Sequence, residues 1–126
     1  MQFERQSGVF LHITALPGPH GIGDLGEGAH EYIDWLASAN QSVWQFCPIG
    51  PTASIHGDSP YQSYSAFAGN PLLVSLDTLS EQAYFSLNDV SIDAPDARHE
   101  VEYDAVREFK TAALRTAAES FFDEFG

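Results

Sequence analysis

Short apolar runs near the start of the chain give way to helical spacing further on. Residues 9–13 form a run rich in strand formers and predict a first strand. Leu16-Pro17-Gly18-Pro19 then forbids regular structure and predicts a stiff loop. Residues 27–39 predict a helix. Ala29, Tyr32, Ile33, Leu36 and Ala39 share one face, with Glu27, Glu31 and Asp34 mostly on the other. The early acids suit the positive end of the helix dipole, and Asp24 is placed to cap its start. Residues 43–47, closed by Pro48, are too few for a helix and predict a second strand. With a helix as the crossover, the two strands are expected to be parallel neighbours.

Residues 49–70 are full of Gly, Pro, Ser and Tyr. A loop of this length in a compact domain is usually functional or disordered. Tyr61, Tyr64 and Phe67 argue against disorder. Residues 72–76 read as a short strand or a buried extended piece, 79–84 as a short helix, and 86–100 as irregular and acidic. A long helix is predicted over 101–125, with apolar positions at Val101, Ala105, Phe109, Ala112, Ala113, Ala117 and Phe121. A parallel pair flanked by helices belongs to an α/β protein whose sheet is buried on both faces. Two or three strands neither close a barrel nor cover a doubly wound sheet, so on this count the chain reads as part of a larger unit.

The chain has 126 residues, 44% of them hydrophobic, enough for one domain with a core. Eighteen acids against five Lys and Arg give a formal charge of -13, and twelve of the acids lie from Asp77 onward. Such a surface repels phosphate backbones and anionic lipid, which argues against nucleic acid and membranes as partners. Lys110 is the single lysine. Many acids with one lysine predict adaptation to high salt, where cations screen self-repulsion. Cys47 is the single cysteine, so no internal disulfide forms and a reducing compartment is expected. The start lacks a basic segment followed by an apolar stretch, and no apolar run approaches transmembrane length. A soluble cytoplasmic protein is the expectation.

Several motifs suggest chemistry and fit poorly. Gly21-Ile22-Gly23-Asp24-Leu25-Gly26 matches the dinucleotide fingerprint, but a proline-rich loop separates it from the strand. Phe46 and Cys47 stand where the ribose-binding acid belongs, and Asp24 would repel a pyrophosphate. Gly57-Asp58-Ser59, with Asp96 and His99 further on, resembles the blocks of GDS-type esterases. Pro60, however, offers no N–H beside the serine. His12, His20, His30, His56 and His99 show no metal-ligand spacing, so neither metal nor cofactor is expected. Cys47 reads as a small buried hydrophobe, and Trp35 and Trp44 as packing residues rather than sugar platforms.

The stretch from Asp58 to Pro71 is different. It packs hydroxyls, an amide, a carboxylate and aromatics into one loop beyond a parallel strand, where α/β folds bind ligands. A sugar wants that mixture: an aromatic face for the apolar side of the ring and short polar groups for its hydroxyls. The competing reading is a loop packed on itself and stapled by its own tyrosines.

Three blocks in order carry a family resemblance: Ser7 to Gly26, Trp44 to Thr52, and Gly57 to Pro71, with Val101-Glu102-Tyr103-Asp104 and Phe109-Lys110 following. Together they resemble the N-terminal part of the 4-alpha-glucanotransferases of glycoside hydrolase family 77, the amylomaltases or disproportionating enzymes. The resemblance covers nearly the whole chain. It implies an α/β fold, the N-terminal portion of a (β/α)8 TIM barrel, incomplete in this chain. Residues 1–126 would supply the first two βα units, a substrate-binding loop at 49–71 and a long helix near 101–125. It also implies transfer of alpha-1,4-glucan segments between maltooligosaccharides by retaining double displacement. That chemistry needs two carboxyl groups about 5 Å apart. By the resemblance those groups are expected downstream of Gly126, so no catalytic residue is expected within this chain, and the chain alone is expected to be inactive.

By the same resemblance, Tyr61 lines the subsite of the cleaved sugar and Ser59 lies near the acceptor side, with Asp58 in the same substrate-binding stretch. Ala53-Ser54-Ile55-His56 replaces the family's usual short glycine-tyrosine turn, so the secondary glucan site that this tyrosine forms in some members is not implied. Phe46-Cys47 stands where aliphatics are commoner, a difference expected to affect packing only. The rival reading from another class is a non-catalytic alpha-glucan-binding module, complete as it stands.

Overall fold

The computed structural model describes residues 4–82, 85–96 and 99–126. It has an α/β fold built on one small parallel sheet. Strand β1 (Gly8–Phe10) pairs with β2 (Val43–Gln45), with Gly8 opposite Val43, Val9 opposite Trp44 and Phe10 opposite Gln45. Helix α1 (Glu27–Ser38) makes the crossover, as expected for adjacent parallel strands. One further bond extends the pairing at each end: Ser42 N–H donates to Ser7 O (3.0 Å) and Leu11 N–H to Gln45 O (2.9 Å). Gly8 is required by close approach, since a Cβ there would lie 2.3 Å from the Val43 carbonyl oxygen.

Both strands are shorter than their apolar runs. After Leu11 the chain enters a 3-10 turn at Ile13–Ala15, and Ile13 is buried there instead of pairing. Gly23 N–H donates back to Thr14 O at 3.1 Å and folds the proline-rich loop onto this turn. Asp24 does not cap α1; the N-cap is Gly26, whose N–H donates to Asp24 Oδ1 at 3.0 Å. Past Ala39, Asn40 adopts a left-handed φ of 56°. Asn40 N–H then reaches Ala37 O and Gln41 N–H reaches Leu36 O, the paired bonds that satisfy orphan carbonyls at a helix end.

The core lies away from the sheet. Asn70 starts a 3-10 turn at Pro71–Leu73 by accepting the Leu72 N–H on Oδ1. The segment expected as a strand or extended piece over 72–76 is therefore this turn followed by extended Val74 and Ser75. Helix α2 (Leu76–Glu81) begins three residues earlier than expected because Ser75 Oγ accepts the Thr78 N–H. The predicted end of that helix, at Ala83 and Tyr84, falls outside the described residues.

Helix α3 (Tyr103–Phe125) organises the interior with Val106, Phe109, Lys110, Ala113 and Ala117. Phe109, Ala113 and Ala117 lie on the predicted face; Val106 and Lys110 complete it, while Ala105 and Ala112 are half-buried. The helix closes at Gly126, whose N–H donates to Phe122 O at 2.8 Å. One cluster joins Leu76 and Phe85 to Phe109, Ala113 and Ala117, and a second joins Ile22 and Leu72 to Val106. Full burial of each large apolar side chain contributes about 1.5–3 kcal/mol.

Lys110 has no exposed surface. Its Nζ donates to Asp24 Oδ2 (3.0 Å), Leu72 O (2.8 Å) and Val74 O (2.8 Å). All three ammonium protons thus have acceptors, which is what allows a lysine in a core. Burial pulls its pKa below the ordinary lysine value; the Asp24 charge and hydrogen bond, and the Asp77 charge, oppose that without cancelling it.

The sheet itself is not covered on both faces: Phe10 and Val43 are exposed, as is Ile33 on α1. Trp44 packs as expected, its indole N–H donating to Leu11 O (2.8 Å) and its ring meeting Tyr32 and Phe46 edge-on. Trp35 stacks on Tyr32 but stays 57% exposed. The described residues form no closed barrel, and no helix among them is long and apolar enough to cross a membrane.

Candidate functional site

Beyond β2 the chain makes a 3-10 turn at Ser54–His56, then two successive left-handed residues, Gly57 (φ 63°) and Asp58 (φ 55°). Aspartate is one of the few side chains that tolerates this conformation. Asp58 N–H donates to Ala53 O (3.1 Å), and Asp58 Oδ1 accepts from Thr52 Oγ1 (2.8 Å) and from the Arg107 guanidinium of α3. Ser59 Oγ accepts the Tyr61 N–H, Ser63 Oγ bonds Ser65 O, and Ser65 Oγ accepts the Phe67 and Ala68 N–H groups. Short polar side chains therefore shape the loop. Its aromatics do not staple it: Tyr61 is 72% exposed, Tyr64 is exposed, and Phe67 is fully so.

Between this loop and α2 lies a cleft of about 870 Å³. Pro60, Tyr61, Ser63 and residues 65–70 line one side, Leu73 to Ser75 with Thr78 and Leu79 the other, and Leu25 with Pro48 to Gly50 complete it. The volume suits a small organic ligand, and the lining mixes apolar surface with hydroxyls. Gly50 admits the loop here, since a Cβ would meet Ser63 Oγ at 2.6 Å and Ser65 O at 2.9 Å.

Of the three residues singled out in the sequence, Tyr61 lines this cleft. Ser59 is half-buried beside it and holds the Tyr61 backbone. Asp58 lies beneath the loop, buried, with its carboxylate turned to Thr52 and Arg107. The Asp58 carboxylate faces the protein rather than the cleft, with a cation and a hydroxyl within reach. Gly126, past which the catalytic carboxylates are expected, closes α3 and does not line the cleft. No aspartate or glutamate among the described residues lines it either.

The Cys47 thiol donates to the Tyr61 phenol oxygen at 3.6 Å.

The competing motifs disperse. In the glycine-rich segment the Asp24 carboxylate already occupies the Gly26 N–H that a phosphate would need. His20 is buried, with Nε2 3.1 Å from Asp77 Oδ1 and its ring against Phe109, while His56 and His99 are exposed. His12 is half-buried with Nδ1 unpartnered, and burial lowers its pKa. Among the described residues no three His, Cys, Asp or Glu side chains gather in a way that would hold a metal.

Sequence reasoning missed Arg107 and the α2 side of the cleft. Arg107 and Asp58 are 49 positions apart, and no local pattern links them. Ser75 caps α2 and Thr78 lies in its first turn, and no local pattern marks either as cleft lining.

The family model for 4-alpha-glucanotransferase, glycoside hydrolase family 77, matches residues 11–125. The chain belongs to this family. It is similar to the 4-alpha-glucanotransferase of Synechocystis sp., 46% identical over 118 residues that cover 94% of this chain and 23% of that protein. It is also similar to the 4-alpha-glucanotransferase of Thermus thermophilus, 44% identical over 121 residues, covering 96% and 23%. Among solved structures, the amylomaltase from Streptococcus agalactiae in complex with acarbose superposes with a TM-score of 0.87 at 38% identity. That match covers 97% of this chain and 24% of the other. The chain spans about a quarter of the length of the curated glucanotransferases it matches.

Proposed function

We propose that this chain forms part of the sugar-binding wall of a cytoplasmic 4-alpha-glucanotransferase, which transfers alpha-1,4-glucan segments between maltooligosaccharides with retention. In the whole protein its two strands would open a (β/α)8 barrel, with loop 49–71 at the carboxyl end of β2 and the helix near 101–125 behind it. In this reading the nucleophilic carboxylate and the acid/base lie downstream of Gly126, so the segment binds and orients sugar and does not itself cleave it.

The observation that carries the proposal is Tyr61: a ring 72% exposed on the lip of a cleft otherwise lined by apolar groups and short hydroxyls, within a family-matched stretch. A hexose lying against that ring covers its own apolar face, while hydroxyls such as those of Ser63 and Thr78 take its edge. Holding the ring there aligns a second sugar as acceptor and keeps water from the glycosyl intermediate. The acarbose bound by the Streptococcus agalactiae amylomaltase supports the same ligand class.

Tyr61→Ala in the intact transferase tests the reading. Disproportionation of maltooligosaccharides should lose about tenfold or more in kcat/KM, with a raised KM, while Tyr61→Phe, which keeps the ring, loses much less. Wild-type kinetics in Tyr61→Ala would refute the assignment. Glucan binding with no transfer by the wild-type whole protein would replace it with the binding-module reading.

A further inference from the structure

We infer that Arg107 is a positioning residue for the sugar-facing ring of Tyr61, acting through Asp58; the inference rests on the role of Tyr61 proposed above. Arg107 stands on α3 beside Val106 and close to Phe109 and Lys110, all three buried, so its backbone is fixed to the core. Its guanidinium donates to Asp58 Oδ1, which also accepts the Thr52 hydroxyl at 2.8 Å. The Asp58 side chain is 4% exposed and that of Arg107 33%, so the carboxylate is buried while the cation keeps a wet edge. A buried carboxylate that loses its cation bears an uncompensated desolvation cost and turns toward water.

Asp58 is also one of two consecutive left-handed residues, a conformation that persists where surrounding contacts over-determine it. Thr52, Ala53 and Arg107 supply those contacts. Tyr61 follows three residues later with little anchorage of its own. Its N–H reaches Ser59 Oγ at 3.3 Å, and its phenol accepts from the Cys47 thiol at 3.6 Å. The direction of the ring is therefore inherited from the backbone at 57–61, and the Asp58–Arg107 ion pair ties that backbone to the core. A displacement of about 1 Å at a sugar-aligning group can cost about 100-fold in rate.

The test is Arg107→Met, with Arg107→Lys as the conservative variant and Tyr61→Ala as reference, all in the intact transferase. KM for maltooligosaccharide donors and the share of glycosyl groups lost to water are measured, with melting temperature as a folding control. Arg107→Met should raise KM about tenfold and increase the hydrolysed share, in the direction of Tyr61→Ala, and Arg107→Lys should recover part of both. Where Arg107→Met does not fold, Thr52→Val, which removes one hydrogen bond to the same carboxylate at nearly constant volume, should shift both readouts in the same sense. Wild-type KM and hydrolysis in the folded Arg107→Met, or in Thr52→Val where that variant replaces it, with Tyr61→Ala impaired, overturns the inference and leaves the Tyr61 reading standing. An unimpaired Tyr61→Ala overturns both.

Discussion

Lys110→Met separates a buried ion pair that holds the interior together from one that merely occupies it. Methionine matches the lysine stem in length and apolar character, so packing around the stem changes little. What disappears is the ammonium group and its three bonds to Asp24, Leu72 O and Val74 O. Asp24 is then a buried carboxylate left with the Gly26 N–H, and two carbonyls lose their donor. Breaking a buried pair from one side costs about 3–5 kcal/mol. At about 1.4 kcal/mol per tenfold, that is a factor between roughly 100 and several thousand in the local opening equilibrium.

The assay is amide hydrogen exchange at Leu25, whose N–H is bonded to Leu73 O, and at Gly26, bonded to Asp24 Oδ1. Protection at both should fall by about 100-fold or more in Lys110→Met. The double variant Lys110→Met with Asp24→Asn should be less affected than Lys110→Met alone, because Asn keeps the acceptor for Gly26 and carries no buried charge. Burial lowers the Lys110 pKa despite Asp24, which points the same way: the pair does not fully offset its own desolvation. Unchanged protection in Lys110→Met, or losses that simply add in the double variant, would refute this account.

Further outcomes follow from single features. His12 has a pKa lowered from 6.5 by burial, so the folded state disfavours its charged form. Its contribution to stability is complete above pH 6.5 and is lost as pH falls below that toward the folded value; His12→Gln should flatten this part of a pH–stability curve, and an unchanged slope would count against it. Gly8→Ala places a Cβ 2.3 Å from Val43 O, so β1 must move off β2 at a cost of about 1–3 kcal/mol, measurable by urea unfolding. With a net charge of -13, the melting temperature should rise with KCl as cations screen self-repulsion; a flat or falling curve would remove the high-salt reading.

The amino-acid pattern by itself determined the parallel pair, because apolar runs bounded by turn residues on either side of a helical stretch leave little else to form. It determined α1 nearly to the residue, and α3 as a long helix with Phe109, Ala113 and Ala117 inward. The 49–71 segment was legible as a loop dense in aromatics and hydroxyls, and parts of it line the cleft. Three things were decided only by the tertiary structure. Strand ends depended on where Ile13 found burial, not on how far the apolar run extended. The fully buried lysine depended on carbonyls from 72 and 74 and on Asp24, groups 36 to 86 positions away, which local periodicity cannot see. The carboxylate of Asp58 reads in sequence as one more sugar-facing group. Its turn toward Thr52 and Arg107 was fixed by the docking of α3 under the loop, because a carboxylate denied water settles on the nearest cation and hydroxyl.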